Sequence, residues 1–96
     1  MVTLSPIDPD QPGYVWHQIV RQILEQVAAG HAAPGSRLPS IPDMSHTFEV
    51  AQTTVQRALG WLVEHKVVTA YPGKGTYIAS RLPSRLPTPP DGSPLP

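Results

Sequence analysis

The chain has 96 residues, with seven basic (Lys, Arg) and seven acidic (Asp, Glu) side chains and no cysteine. This length leaves room for one small hydrophobic core, so we expect a single domain without a separate ligand-sensing domain. A chain without cysteine has neither a disulfide framework nor a thiolate metal site. The N-terminus lacks the apolar stretch of a signal peptide, and no apolar run is long enough to cross a membrane, so we expect a cytoplasmic protein without membrane contact.

The charge is distributed unevenly along the chain. The formal net charge is zero overall, whereas residues 14–82 carry six basic and four acidic side chains. A basic excess is the usual sign of nucleic-acid binding, and affinity for DNA rises with the number of phosphates that are neutralised. An excess of two predicts weak DNA binding by one protomer, and therefore a homodimer on two half-sites if DNA is the partner.

The two ends of the chain are rich in proline. Residues 81–96 contain six prolines, and residues 1–13 contain three followed by a glycine. Because proline removes backbone donors and neither segment can form an apolar face, we predict a flexible N-terminal arm (1–13) and a disordered tail (81–96). The tail repeats "RLPS" as "RLPT"; it is either a solvated end or a polyproline ligand for a protein partner.

The first helix is predicted in "YVWHQIVRQILEQVAAG", where apolar residues recur with helical spacing and Gly30 is placed to end the helix. A turn at Pro34 and Gly35 and a short extended piece around Arg37 and Leu38 follow.

The second helix is predicted from about Ile41 to Thr47. Ser40 can cap it, Asp43 stands three residues later as in a capping box, and Pro42 falls in the first turn, where its missing N–H does little harm.

The third helix is predicted over residues 52–65. Its apolar face is formed by Val55, Ala58, Leu59, Leu62 and Val63, and its other face by Gln52, Thr53, Gln56 and Gly60. Two local choices weaken its start: Ala51 takes the N-cap position, and Glu49 lies in a tight turn that suits Gly or Asn better.

A β-hairpin is predicted after the third helix, with strands 67–71 and 76–79 around a Pro-Gly-Lys-Gly turn. Helix, short strand, two helices and hairpin, in this order, make a mainly α fold with a small β-hairpin, a winged helix-turn-helix over residues 14–80.

Three motifs in this order resemble the GntR-type transcriptional regulators: "APGSRLPS" before the second helix, "VAQTTVQRAL" as turn and recognition helix, and "PGKGTYIA" as the wing. The resemblance covers roughly residues 14–79. It implies a sequence-specific regulator of transcription, a repressor, with the third helix in the major groove of double-stranded operator DNA and the wing against the minor groove or backbone.

The chain departs from this family where arginine is common. Ile41 and Pro42 stand where members often carry Glu-Arg, and Gln52 and Gln56 replace two arginines of the recognition helix. Glutamine pairs with adenine N6 and N7, so we expect a half-site that leans to A·T.

The predicted DNA-binding residues divide into two groups. Those for base edges are Gln52, Thr53, Thr54 and Gln56; those for the backbone are Arg37, Ser40, Arg57, Lys74, Gly75 and Thr76. The roles of one arginine and one lysine stay open. Arg57 is either a phosphate contact on the flank or a packed surface residue. Lys74 is either a DNA contact or a plain turn lysine.

Other chemistries fit the sequence poorly. The four histidines lack metal-ligand spacing, and the few carboxylates are separated, so we expect no metal, no cofactor and no enzyme. Trp16, Trp61 and Phe48 are either core residues or stacking groups, and Trp16 with Trp61 could form a dimer seam. The alternative to DNA binding is a winged helix that serves as a protein-interaction module, an accessory subunit or anti-repressor, because charge is low and arginines are missing.

Overall fold

A computed structural model describes residues 4–11, 13–92 and 95 of the chain. The elements in chain order are α1 (Val15–Ala28), α2 (Ile41–Phe48), α3 (Gln52–Glu64), β1 (Val68–Tyr71) and β2 (Gly75–Ile78). The two strands form an antiparallel hairpin in which Val68 is paired with Ile78 and Tyr71 with Gly75. This order confirms the predicted winged helix-turn-helix, and each boundary lies within one or two residues of its prediction.

The core lies between the three helices and the inner face of the hairpin. α1 and α3 pack against each other, α2 packs across α3, and β1 also contacts α3. The apolar stripes predicted for α1 and α3 supply most of the core: Ile19, Val20, Ile23 and Leu24 of α1 and Val55, Ala58, Leu59 and Leu62 of α3 are all buried. α2 adds Met44 and Phe48, which are buried as well. The hairpin adds Val67, Val68 and Ile78 to the same cluster.

One residue of the predicted apolar face of α3 is not part of the core. Val63 is 41% exposed. Four residues, at positions 55, 58, 59 and 62, already fill the side of α3 that faces the other elements, and Val63 lies at the edge of this stripe, about 40° beyond Leu59 and about 100° from Leu62. The apolar face predicted for α3 from residue spacing was therefore one residue too wide, because it included Val63.

The predicted capping pattern is confirmed at α2 and α3. The Ser40 hydroxyl accepts the amide N–H of Asp43 at 3.2 Å. α2 ends at Glu49, whose backbone is left-handed with φ 59° and ψ 47°. Ala51 precedes α3 without a side-chain cap. α3 therefore begins with less local stabilisation than α2.

The short extended piece before α2 joins the hairpin as a third, very short strand. Arg37 forms an antiparallel bridge with Tyr77. On either side, the Leu38 N–H donates to the Thr76 carbonyl at 2.9 Å and the Ile78 N–H donates to the Ser36 carbonyl at 2.8 Å. These bonds fix the segment that leads into α2 against the wing.

The described part of the N-terminal arm has no helix or strand, but it lies along α1. Ile7 is 9% exposed within the core cluster. The Gln22 side-chain amide donates to the Ser5 carbonyl at 2.8 Å, and that of Gln18 donates to the Asp8 carbonyl at 2.8 Å. These contacts differ from the expectation that nothing in the arm can pack. The boundary at residue 13 stays a prediction.

The described part of the tail also contacts the domain. Pro89 is fully buried, Leu82, Leu86 and Leu95 pack against the core, and Asp91 lies 3.9 Å from the Arg21 guanidinium. Disorder of the tail, and its use as a polyproline ligand, stay predictions; the prolines at 94 and 96 lie outside the described residues.

Candidate nucleic-acid interface

The first two turns of α3 present a polar surface to solvent. Gln52, Thr53, Gln56 and Arg57 are exposed, whereas Thr54 is half-buried on the side that faces α1. The exposed four carry hydrogen-bonding groups and one positive charge, and α3 has no acidic side chain before Glu64. Asp43 and Glu49 are exposed on the neighbouring α2 and its turn. The positive charge is therefore confined to Arg57 on α3, because the neighbouring element carries exposed acidic side chains.

Arg37 and Ser40 belong to the segment that leads from the wing contact into α2. Both are exposed, but the Ser40 hydroxyl already accepts from the Asp43 backbone. It can still donate its own hydrogen to an outside acceptor, because a hydroxyl is a donor as well as an acceptor.

The guanidinium of Arg37 packs on the backbone of Gly75 at the start of β2. A β-carbon built on Gly75 would lie 3.1 Å from Arg37 Nε and 3.3 Å from Nη2, and the backbone φ there is 125°. Two features of the chain itself therefore favour glycine at position 75: the positive φ and the contact with Arg37. From the sequence, Gly75 was assigned only to contact with the DNA backbone.

Lys74 lies at the tip of the wing with its side chain exposed. Its N–H closes the turn by donating to the Tyr71 carbonyl at 2.9 Å. Thr76 is half-buried in β2, where its carbonyl accepts from Leu38. On the outer face of the hairpin the rings of Tyr71 and Tyr77 meet edge to face, with centroids 5.6 Å apart.

Arg57 turns towards α1. Its guanidinium carbon lies 5.3 Å from the centroid of the Trp16 ring, a distance typical of a cation–π contact. A shallow cleft of about 290 Å³ separates the two helices here, which we call the α1–α3 cleft. It is lined by Tyr14, Val15, Trp16, Thr53, Thr54 and Arg57. The Arg57 side chain packs against Trp16 and still remains exposed. A phosphate contact on the flank and a packed surface residue therefore both stay open as interpretations of Arg57.

The three large aromatic residues of the sequence have different surroundings. Phe48 is buried in the core, and Trp16 and Trp61 are half-buried against it. Trp61 stacks on His65 with ring centroids 3.7 Å apart. A dimer seam through the two tryptophans stays a prediction.

Sequence patterns missed the contacts that join separate elements. The Arg37–Gly75 contact connects residues 38 positions apart, and the Arg57–Trp16 contact connects α3 with the first turn of α1. No periodicity or spacing signals such a pair; the available hints were the second glycine of "PGKG" and an aromatic residue at the start of α1.

Within the described residues, no group of three or more His, Cys, Asp or Glu is placed to hold a metal ion. Among the same residues, no helix is both long and apolar enough to cross a membrane.

Three helices, a two-stranded wing and an exposed polar face on the last helix define a winged helix-turn-helix protein. The family model of the bacterial regulatory proteins of the gntR family matches residues 16–78. This match covers well over half of the chain, so the chain belongs to the GntR family.

Two curated relatives are repressors by name. The chain is 38% identical over 64 residues to the mannosyl-D-glycerate transport/metabolism system repressor MngR of Escherichia coli. The aligned residues make up 67% of this chain and 27% of MngR. The chain is 29% identical over 80 residues to the transcriptional repressor YtrA of Bacillus subtilis, which covers 83% of this chain and 62% of YtrA. The chain thus matches less than two thirds of the length of either relative.

Solved structures share the fold. YtrA from Sulfolobus acidocaldarius, a GntR-family transcription factor, has a TM-score of 0.73 at 29% identity, over 79% of this chain and 80% of that one. The DNA-binding domain of AraR, solved in complex with operator ORE1, has a TM-score of 0.69 at 22% identity, over 81% of this chain and 95% of that one. The second likeness concerns the fold alone.

Proposed function

We propose that this chain binds double-stranded DNA sequence-specifically and represses transcription from an operator. α3 lies in the major groove, where Gln52, Thr53 and Gln56 contact base edges. Thr54, which is half-buried, is the fourth residue proposed to contact a base edge. Arg37, Ser40, Arg57 and the wing residues Lys74, Gly75 and Thr76 hold the sugar-phosphate backbone.

The observation that carries this proposal is the polar, exposed start of α3, with cations on separate elements around it. Arg37 precedes α2, Arg57 lies on α3 and Lys74 is at the wing tip, and all three are exposed. The exposed large apolar residues among those described are Tyr14, which precedes α1, and Val63 and Tyr71, which line one groove between the end of α3 and β1. The first two turns of α3 themselves expose only polar side chains, whereas a face used for protein docking is expected to gather apolar area in one patch.

The relatives support the same proposal. MngR and the Bacillus YtrA are both named repressors, and the AraR domain shows that this fold can carry operator DNA. These names support a regulator of transcription rather than an enzyme; a cytoplasmic location and the lack of a cofactor are proposed from the sequence alone.

We further propose that the chain acts as a homodimer on two half-sites. The three proposed cationic contacts, Arg37, Arg57 and Lys74, neutralise few phosphates, and each phosphate contact contributes about 0.9 to the slope of log K against log salt. A single protomer should therefore have a slope of only about 3 and bind weakly, whereas a pair on one DNA doubles the contacts.

Selection from random-sequence duplexes, repeated at two salt concentrations, tests the function. We expect an enriched motif with two half-sites. In the same selection Gln52→Ala should relax one base position, because the amide that pairs with that base is gone. Gln11→Ala, which changes an exposed glutamine of the N-terminal arm, is the matched control and should leave the motif intact.

Failure to retain any duplex at low salt would contradict DNA binding, because even non-specific complexes of ~10⁻⁴–10⁻⁶ M should be visible there. That result would favour the alternative, a winged helix that binds a protein. Retention without an enriched motif would contradict sequence specificity alone.

A further inference from the structure

The edge between α1 and α3 has features that the contacts within the chain leave unexplained. Arg57 carries a positive charge, and within the described residues it forms no ion pair with a carboxylate. It lies instead over the ring of Trp16, at 5.3 Å from the centroid. An arginine held against an indole has lost part of its rotamer freedom, so its free N–H groups point in fewer directions.

The α1–α3 cleft below this arginine is lined by groups that suit a phosphodiester. Tyr14 and Thr53, which carry hydroxyls, and Arg57, which carries several N–H donors, are among the residues that line it. Tyr14 is 67% exposed, and Thr53 and Arg57 are exposed as well. Among the residues that line the cleft there is no acid, so an anion meets attraction without repulsion from its walls.

Gly60 provides an independent observation on the same side of α3. It lies inside the helix, three residues after Arg57, and residues at this spacing are neighbours on a helix surface. A helix with glycine at an interior position is less stable than the same helix with alanine there. Nothing within 4 Å would meet a β-carbon at Gly60, so packing within the chain does not require the glycine. A bare backbone here leaves room for another molecule to approach.

We propose that the α1–α3 edge binds one phosphodiester strand of DNA on the flank of the half-site. Arg57 bonds a phosphate, Tyr14 bonds the same or the next phosphate from the cleft, and the strand passes close to Gly60, while Thr53 at the edge of the cleft keeps its proposed base contact. Trp16 is a positioning residue, which holds Arg57 without touching DNA. This inference rests on the proposed DNA binding and adds a second line of backbone contacts to that of Arg37 and the wing.

The first test is phosphate-ethylation interference on the selected duplex with wild-type protein and Arg57→Gln. The wild type should show sensitive phosphates outside the base-contacted positions, and Arg57→Gln should lose at least one of them. The variant should also lower the slope of log K against log salt by about 1 for each protomer. Arg85→Gln removes one exposed tail arginine and is the matched control; it should keep the wild-type phosphate pattern.

The second test addresses Trp16 by a double-mutant cycle. Trp16→Leu should weaken binding in the wild-type background but not in the Arg57→Gln background, because its effect passes through that arginine. Trp16→Phe keeps an aromatic face and should retain most of the affinity. Equal losses in both backgrounds would overturn the positioning role.

The third test uses Gly60→Ala, for which stability and affinity are expected to move in opposite directions. The alanine should raise the midpoint of thermal unfolding by about 2–8 °C, because it suits a helix better. It should weaken DNA binding several-fold if a strand passes close to this position. A stabilised variant with unchanged affinity would overturn the close approach.

The outcomes separate this inference from the proposed function. If the wild type binds no duplex at low salt, the proposed function fails first. If the wild type selects its motif while Arg57→Gln keeps the affinity, the salt slope and the phosphate pattern, DNA binding stands and the flanking contact is wrong.

Discussion

The guanidinium of Arg37 and the backbone of Gly75 are packed against each other, so that a β-carbon at position 75 would also lie 3.5 Å from the arginine Cζ. The contact connects the segment that leads into α2 with the first residue of β2. The position of the arginine and that of the wing tip are therefore coupled, although each was assigned to the DNA backbone from its own motif.

Gly75→Ala should destabilise the domain by about 1–3 kcal/mol, because alanine suits neither the φ of 125° nor the space beside Arg37. Urea unfolding measures this change. Gly73→Ala is the matched control, since its φ is 76° but nothing within 4 Å meets the new carbon. In the background of Arg37→Ala the cost of Gly75→Ala should fall; an unchanged cost would mean that the contact plays no part.

Ala51→Ser should stabilise the domain by about 1 kcal/mol. α3 begins without a side-chain cap at this position, and a serine hydroxyl can accept one of the free amide hydrogens of the first turn. Thermal or urea unfolding checks it. Ala51→Val, which gives no hydroxyl and ranks with alanine as a poor N-cap, should leave stability nearly unchanged. Equal effects of the two substitutions would contradict the capping explanation.

Ile7→Ala should lower the free energy of unfolding by about 2–4 kcal/mol if the N-terminal arm packs as the structure describes it. Ile7 is 9% exposed within the core cluster, and truncation of a buried isoleucine costs in this range. Pro9→Ala, at an exposed position of the same arm, should have little effect. If neither substitution changes stability, the arm is flexible in solution, as the proline content predicts.

Lys74→Gln should weaken DNA binding by a similar factor on every sequence. The exposed lysine at the wing tip is proposed to contact phosphate, which carries no base information. The slope of log K against log salt should fall by about 1 for each protomer, while the selected motif stays the same. A changed motif would show that the wing contacts bases, and an unchanged slope would leave Lys74 as a turn residue.

The sequence by itself determined the helices, the hairpin and their order. Apolar residues at helical spacing, the Ser40 cap and the Pro-Gly turn act within a few residues of one another, so local physical chemistry is enough to place them. The same motifs carried the resemblance to the GntR family, which the match over residues 16–78 confirms.

Only the tertiary structure decided which residues meet across elements. It placed Arg57 over Trp16, Arg37 on Gly75 and Ile7 in the core. It also left Val63 exposed at the edge of the apolar stripe. Each of these depends on how α1, α3 and the hairpin lie relative to one another. That arrangement is set by the packing of the whole core, because no short stretch of sequence contains both partners of such a contact.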